Sequence, residues 1–169
     1  TTLVRSLGGS QATGAGAGHR DPAGPVQASN PRAAAAEQEE IKPFAFSPKL
    51  DVNYLVNLYE NNVEYATGLF SIFLDNIRQE WGEIRRADMA NNLTLLCQLV
   101  HNVKPNFSMV GLTWISHEME KIEASIKRNE NTATVPALII KADKDLQMYL
   151  PVIEEEYQHL LAYQAENPQ

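Results

Sequence analysis

Cys97 is the only cysteine in 169 residues, so no intrachain disulfide and no four-cysteine metal site can form, and a reducing compartment is the simpler reading. No apolar run approaches the ~20 residues that span a bilayer, and the first residues lack the hydrophobic stretch of a signal peptide. Basic residues are also short: 14 Lys and Arg face 21 Asp and Glu, a net charge of −7 with a pI near 5.1. That balance argues against a nucleic-acid or anionic-membrane surface, since either needs a basic patch. Aromatic residues are missing from positions 1–40, where Ala, Gly, Ser, Thr and Pro fill 24 places. Such a stretch cannot bury enough apolar area to offset its ordering entropy and is expected to be a disordered linker or tail. Its last piece, AAAAEQEE, is too short to hold a helix alone. Thr1 at the first position suggests a piece of a longer protein, and a cytoplasmic location is expected.

What remains, residues 41–169, carries 11 basic and 17 acidic side chains and reads as one helical domain entered between Pro43 and Pro48. Val63, Ala66, Phe70, Phe73, Ile77, Trp81 and Ile84 step by three or four, as do Leu93, Leu96, Val100, Val103, Phe107 and Val110. A third series runs through Leu112, Ile115, Met119, Ile122 and Ile126, and a fourth through Val135, Ile139, Ala142, Leu146, Tyr149 and Ile153. This is the spacing of amphipathic helices, and no strand pattern competes. Short links near residues 87–91 and 129–134 predict an all-α, up-and-down antiparallel four-helix bundle. The segment DVNYLVNLYENN, with Leu55 and Leu58 inward, is expected to form a short capping helix. Pro136 suits a helix start, whereas Pro151 should kink or split the last helix.

One histidine stands apart. At about 100° per residue, His101 points roughly 130° from the centre of its helix's apolar stripe. Thr94, Cys97, Gln98, Lys104, Pro105 and Ser108 share its side, a polar strip of short groups with one cation. Lys104, at i+3, lies within reach of any anion joined to the imidazole. An exposed imidazole is largely neutral at pH 7 and hence nucleophilic, and a nearby cation favours that state. An exposed histidine taken alone is usually an ordinary surface residue, so the neighbours carry the case.

The run HNVKPNFSMVG, residues 101–111, resembles the motif of histidine-containing phosphotransfer (HPt) domains: H-x-x-K-G, then small residues, then a glycine ten positions after the histidine. His101, Lys104 and Gly111 match it. Pro105 stands for the usual glycine and Phe107 for a small residue. Phe107 fits the apolar period and should pack inward; Pro105 lacks the N–H that would bond the His101 carbonyl, so the helix should bend there while bulk stays clear of the approach. The resemblance covers about residues 48–165 and leaves out the first 40.

The resemblance implies a phosphorelay intermediate, a phosphocarrier without its own nucleotide site. His101 would accept a phosphoryl group from a receiver-domain aspartate and pass it to another receiver, Lys104 would stabilise the group, and the strip of Thr94, Cys97, Gln98, Pro105 and Ser108 would dock the partner. No intrinsic cofactor is implied, Mg²⁺ belonging to the receiver. The partners would be response-regulator receiver domains, with a hybrid histidine kinase in the same or another chain as a further one, and the domain itself would be monomeric. The alternative is a non-phosphorylated helical module that docks proteins through the same face.

The remaining histidines have plainer readings. His117 lies nearly opposite its helix's apolar stripe among Glu118 and Glu120, a solvated face. His159 follows EEEY near the C-terminal helix end, where a cation complements the helix dipole. His19 falls in the tail. Cys97 and His101 are four apart, but no third and fourth metal ligand lie at a supporting spacing. IKPF at 41–44 is like the Lys-Pro-Phe near a receiver's end, yet the 40 preceding residues cannot form that domain.

Overall fold

The computed structural model describes residues 40–168, so the expected tail at 1–40 falls, but for Glu40, outside the described residues, as does His19. Among them the chain is helical, without strands: α1 (Val52–Tyr59), α2 (Val63–Met89), α3 (Leu93–Met109), α4 (Thr113–Arg128) and α5 (Val135–Glu166), with a 3₁₀ turn at Thr132–Thr134. No described helix is long and apolar enough to cross a membrane.

Asparagine punctuates this arrangement. Asn61 and Asn91 take left-handed φ values of 67° and 49°, which asparagine tolerates better than most residues. The asparagine that follows each one then caps a helix: Asn62 accepts from the Tyr65 N–H at 2.9 Å and Asn92 from the Leu95 N–H at 3.1 Å. Asn129 ends α4 with φ 52°.

α2 packs against α3 and α5, and α4 packs against the same two helices. The apolar stripes converge there: Phe70, Ile77, Leu96, Val100, Phe107, Ile115, Met119, Ile122 and Ile153 are wholly buried. Phe107 turns inward, its ring edge-on to Phe73 at 5.9 Å and to Trp81 at 6.1 Å between centroids. Trp81 in turn donates from Nε1 to Asp143 Oδ1 at 2.7 Å, tying α2 to α5.

Three expectations need correction. In α1 it is Tyr59, not Leu58, that is buried beside Leu55; Leu58 is 37% exposed. The Tyr59 hydroxyl donates to the Met109 carbonyl at 2.6 Å, a distant partner that makes burial of its polar end tolerable. Pro151 does not split the last helix: α5 runs unbroken from Val135 to Glu166 because each flank supplies turns of its own. Tyr149 is only half-buried and Leu150 takes the inner position. α3 likewise continues through Pro105 to Met109, and Pro136 sits in the first turn of α5 as expected.

The α3–α4 corner is the most constrained part of the backbone. Gly111 there has φ +78°, and a Cβ on it would lie 2.8 Å from Leu55 Cδ1 and 3.0 Å from Leu50 Cβ. Only glycine fits both the dihedral and the gap. Asp51 locks the corner from outside: its N–H donates to the Gly111 carbonyl at 2.9 Å, and its Oδ2 accepts from Thr113 Oγ1 at 2.7 Å. The segment leading into α1 is packed too. Phe44 meets Tyr163, Phe46 meets Tyr59 and Phe70, and the Ser47 N–H donates to Oε1 of the buried Glu156 at 2.9 Å.

Candidate functional site

The hairpin of α3 and α4 sets His101 against a residue that the α3 sequence could not announce. Glu123 lies on α4 at i+4 from Met119 and i+8 from Ile115, so helical geometry carries its stem onto the buried face, and it is 5% exposed. His101 Nδ1 is 2.8 Å from Glu123 Oε1, and Lys104 Nζ donates to Oε2 at 3.0 Å. Lys127, one turn beyond Glu123, donates to Oε1 as well. Three nitrogen groups from two helices thus meet on one carboxylate.

This geometry decides the imidazole's chemistry. An ionised carboxylate only accepts, so the proton of a neutral His101 ring resides on Nδ1 and Nε2 keeps its lone pair. The ring is also held in orientation while 61% of the side chain remains exposed. Hydrogen bonds from Lys127, then from Lys104 and His101, outweigh burial and bring the Glu123 carboxyl down to about 2 from an ordinary 4.5. Glu123 correspondingly raises Lys127 above its usual value. With two ammonium groups on one carboxylate, the cluster carries a net charge of about +1 before the imidazole is counted. An incoming dianion would complement that excess.

Lys104 is therefore not the free cation its spacing implied: its side chain is 24% exposed and already engaged. Thr94, Cys97 and Gln98 border a shallow depression of about 410 Å³ beside His101, together with Ile126 and Lys127 of α4. Pro105 is exposed and Ser108 half-buried, and neither borders that depression. Gly111 lies at the corner, away from the imidazole's partners, where its role is steric. Among the described residues, no group of three or more His, Cys, Asp or Glu side chains could hold a metal ion. His117 is exposed and 3.2 Å from Glu120. His159 lies seven residues before the end of α5 and 3.5 Å from Glu156, so a carboxylate is its neighbour in place of the expected helix terminus.

Glu123, Lys127 and Ile126 were the residues that reading α3 missed. A usable signal existed for the first two: a glutamate placed among Ile115, Met119 and Ile122 needs a cation, and Lys127 stands at i+4.

The depressed carboxyl has a testable consequence. A group whose folded-state pKa is lowered contributes stability that is complete above its unfolded value and disappears as pH falls through the folded one. Between pH 5 and 2 the parent should lose about 2 kcal/mol more unfolding free energy than Glu123→Gln, a figure discounted for the exposure of Lys127. Urea titrations at a series of pH values would measure it, and parallel pH curves for the two chains would contradict the assignment.

In comparisons with known proteins, no family model, curated protein or solved structure matches the chain.

Proposed function

We propose that this chain is a phosphorelay intermediate of the HPt type, in which His101 Nε2 accepts a phosphoryl group from a receiver-domain aspartate and returns it to another receiver. The observation that carries the reading is the Glu123 cluster: one carboxylate fixes the imidazole through Nδ1 and gathers Lys104 and Lys127 at the same place. On this reading the mutual packing of α2 to α5 is an up-and-down antiparallel four-helix bundle, α1 caps it, and the protein works in the cytoplasm as a monomeric domain.

The chemistry follows from these groups. The Nε2 lone pair attacks phosphorus as the bond from phosphorus to the aspartyl oxygen breaks, and the aspartate leaves as a carboxylate. The ring becomes positive as the N–P bond forms, which the Glu123 carboxylate on Nδ1 stabilises. The two lysines offset the phosphoryl charge. Mg²⁺, on the receiver, would serve the donor side. Thr94, Cys97 and Gln98 border the ground over which the receiver approaches, with Ile126 as its apolar part.

The test is to incubate the parent, His101→Gln and His117→Gln chains with a panel of phosphorylated receiver domains and to measure acid-labile, base-stable phosphate. Labelling is expected in the parent and His117→Gln and absent in His101→Gln, whose exposed site tolerates the change with little loss of stability. Labelling of His101→Gln equal to the parent would remove His101 from the mechanism. No labelling of any chain by any receiver would favour a docking module without phosphorylation.

A further inference from the structure

The tautomer that Glu123 imposes on His101 also decides which free anion fits beside the ring. Glu123 Oε1 accepts from Nδ1 across 2.8 Å, so Nε2, the ring nitrogen left to a guest, offers a lone pair and no N–H. His101 and Lys127 both border the depression of about 410 Å³, and their side chains are 61% and 60% exposed. A guest there can reach both. Lys127 commits one N–H to Glu123 Oε1 and keeps two for other acceptors. Exposed Thr94 and Gln98 add a hydroxyl and an amide along the same border.

Local charge favours an anion here. No acidic side chain borders the depression, α3 carries none along its whole length, and behind the imidazole Lys104 and Lys127 outnumber Glu123 by one positive charge. The chain's net charge of −7 opposes an anion at long range, but salt at 0.1 M screens that field within about 10 Å and leaves the local excess to decide. Hydrogen bonding then chooses among anions. The border presents donors from Lys127, Thr94 and Gln98 and one acceptor on the imidazole, Nε2. A sulfate dianion only accepts, so its arrival would leave the Nε2 lone pair unanswered. The hydrogen phosphate dianion carries an O–H beside its bare oxygens and answers both kinds of group.

We infer that this depression holds a free hydrogen phosphate dianion, its O–H donating to His101 Nε2 and its bare oxygens accepting from Lys127, and that it selects phosphate over sulfate. The selectivity comes from Glu123, which the guest does not touch. On the phosphotransfer reading the guest stands where the phosphoryl group would arrive and shields His101 from a receiver, a consequence that rests on that reading. The binding itself needs no receiver.

The experiment uses the full chain labelled with ¹⁵N-histidine, slightly above neutral pH where hydrogen phosphate predominates. The ring nitrogens are followed while sodium phosphate, sodium sulfate or, at matched ionic strength, sodium chloride is added. His101→Gln identifies the His101 signals, and His117, exposed and beside Glu120, is the internal control. Phosphate should shift His101 Nε2 saturably and bind about fivefold more tightly than sulfate, the scale of one hydrogen bond, while chloride gives no saturable shift and His117 stays unmoved. Lys127→Met should weaken phosphate binding by about fivefold or more. Glu123→Ala, which releases the tautomer, should bring the two affinities to within about twofold of each other. Equal affinities for phosphate and sulfate in the parent, no saturable shift with phosphate, unaltered affinity in Lys127→Met, or undiminished selectivity in Glu123→Ala would each overturn the inference. With no receiver present, such a result leaves the phosphotransfer reading standing, and the anion series on the parent decides even if a variant misfolds.

Discussion

Phe107→Ala is expected to cost about 4 kcal/mol of folding stability, within the range for emptying a fully buried phenylalanine site. The ring is wholly buried, and its edge-on neighbours Phe73 and Trp81 are anchored on α2, with Trp81 held by Asp143 of α5. Phe107 of α3 thus fills a site walled by two rings of α2, and α2 cannot move in to close the gap without disturbing the tie from Trp81 to α5. For a domain of this size the melting temperature should fall by more than about 10 °C. Phe107→Leu, which leaves most of the volume filled, should cost roughly a third as much. Chemical denaturation of the three chains would show it, and a loss below about 1 kcal/mol for the alanine variant would mean that the core collapses around the site.

The largest effect on activity short of removing His101 is expected from Glu123→Ala. That change deletes the acceptor for Nδ1 and the common anchor of Lys104 and Lys127, so the imidazole loses both its fixed tautomer and its orientation. On the proposed phosphorelay reading, phosphotransfer should slow about 10- to 100-fold, the usual scale when a group orienting a reactive histidine is lost. Glu123→Gln separates the two contributions. Its amide oxygen still accepts from Nδ1 while both lysines are released toward the incoming phosphoryl group, so its rate should stay within about threefold of the parent. Rapid-quench transfer from a phosphorylated receiver measures both, with circular dichroism confirming helix content. Parent-like transfer by Glu123→Ala would detach the carboxylate from catalysis.

The difference between Phe107 and Glu123 also marks what a sequence can disclose. Phe107 sits in a three-and-four series whose period alone sends it inward, and the same logic places Phe70, Ile77, Met119 and Ile153, because burial of a helix face is a property of the helix itself. Tyr59 and Leu58 are adjacent and both apolar enough to be chosen; the Met109 carbonyl, fifty residues away, decides between them. His101 and Lys104 could be paired because i+3 is local. Glu123 could not be joined to them, since its relation to His101 depends on the register of two helices across a turn fixed by Gly111, Leu50 and Leu55. Pro151 shows the converse: of the kink or split that a local rule about proline allows, the split does not occur, and α5 runs on through it to Glu166.

The placement of all four cluster residues on a single helical hairpin bears on how the protein folds. His101 and Glu123 are 22 residues apart and Lys104 and Glu123 only 19, whereas Arg78 and Glu154 bridge α2 and α5 across 76 and Ser47 reaches Glu156 across 109. Short loops close at lower entropic cost, so the hairpin can form its native register before the outer helices dock. Excursions that detach the far end of α5 would then leave the imidazole and its carboxylate together, and the cluster would sit in a unit that opens independently of that helix end.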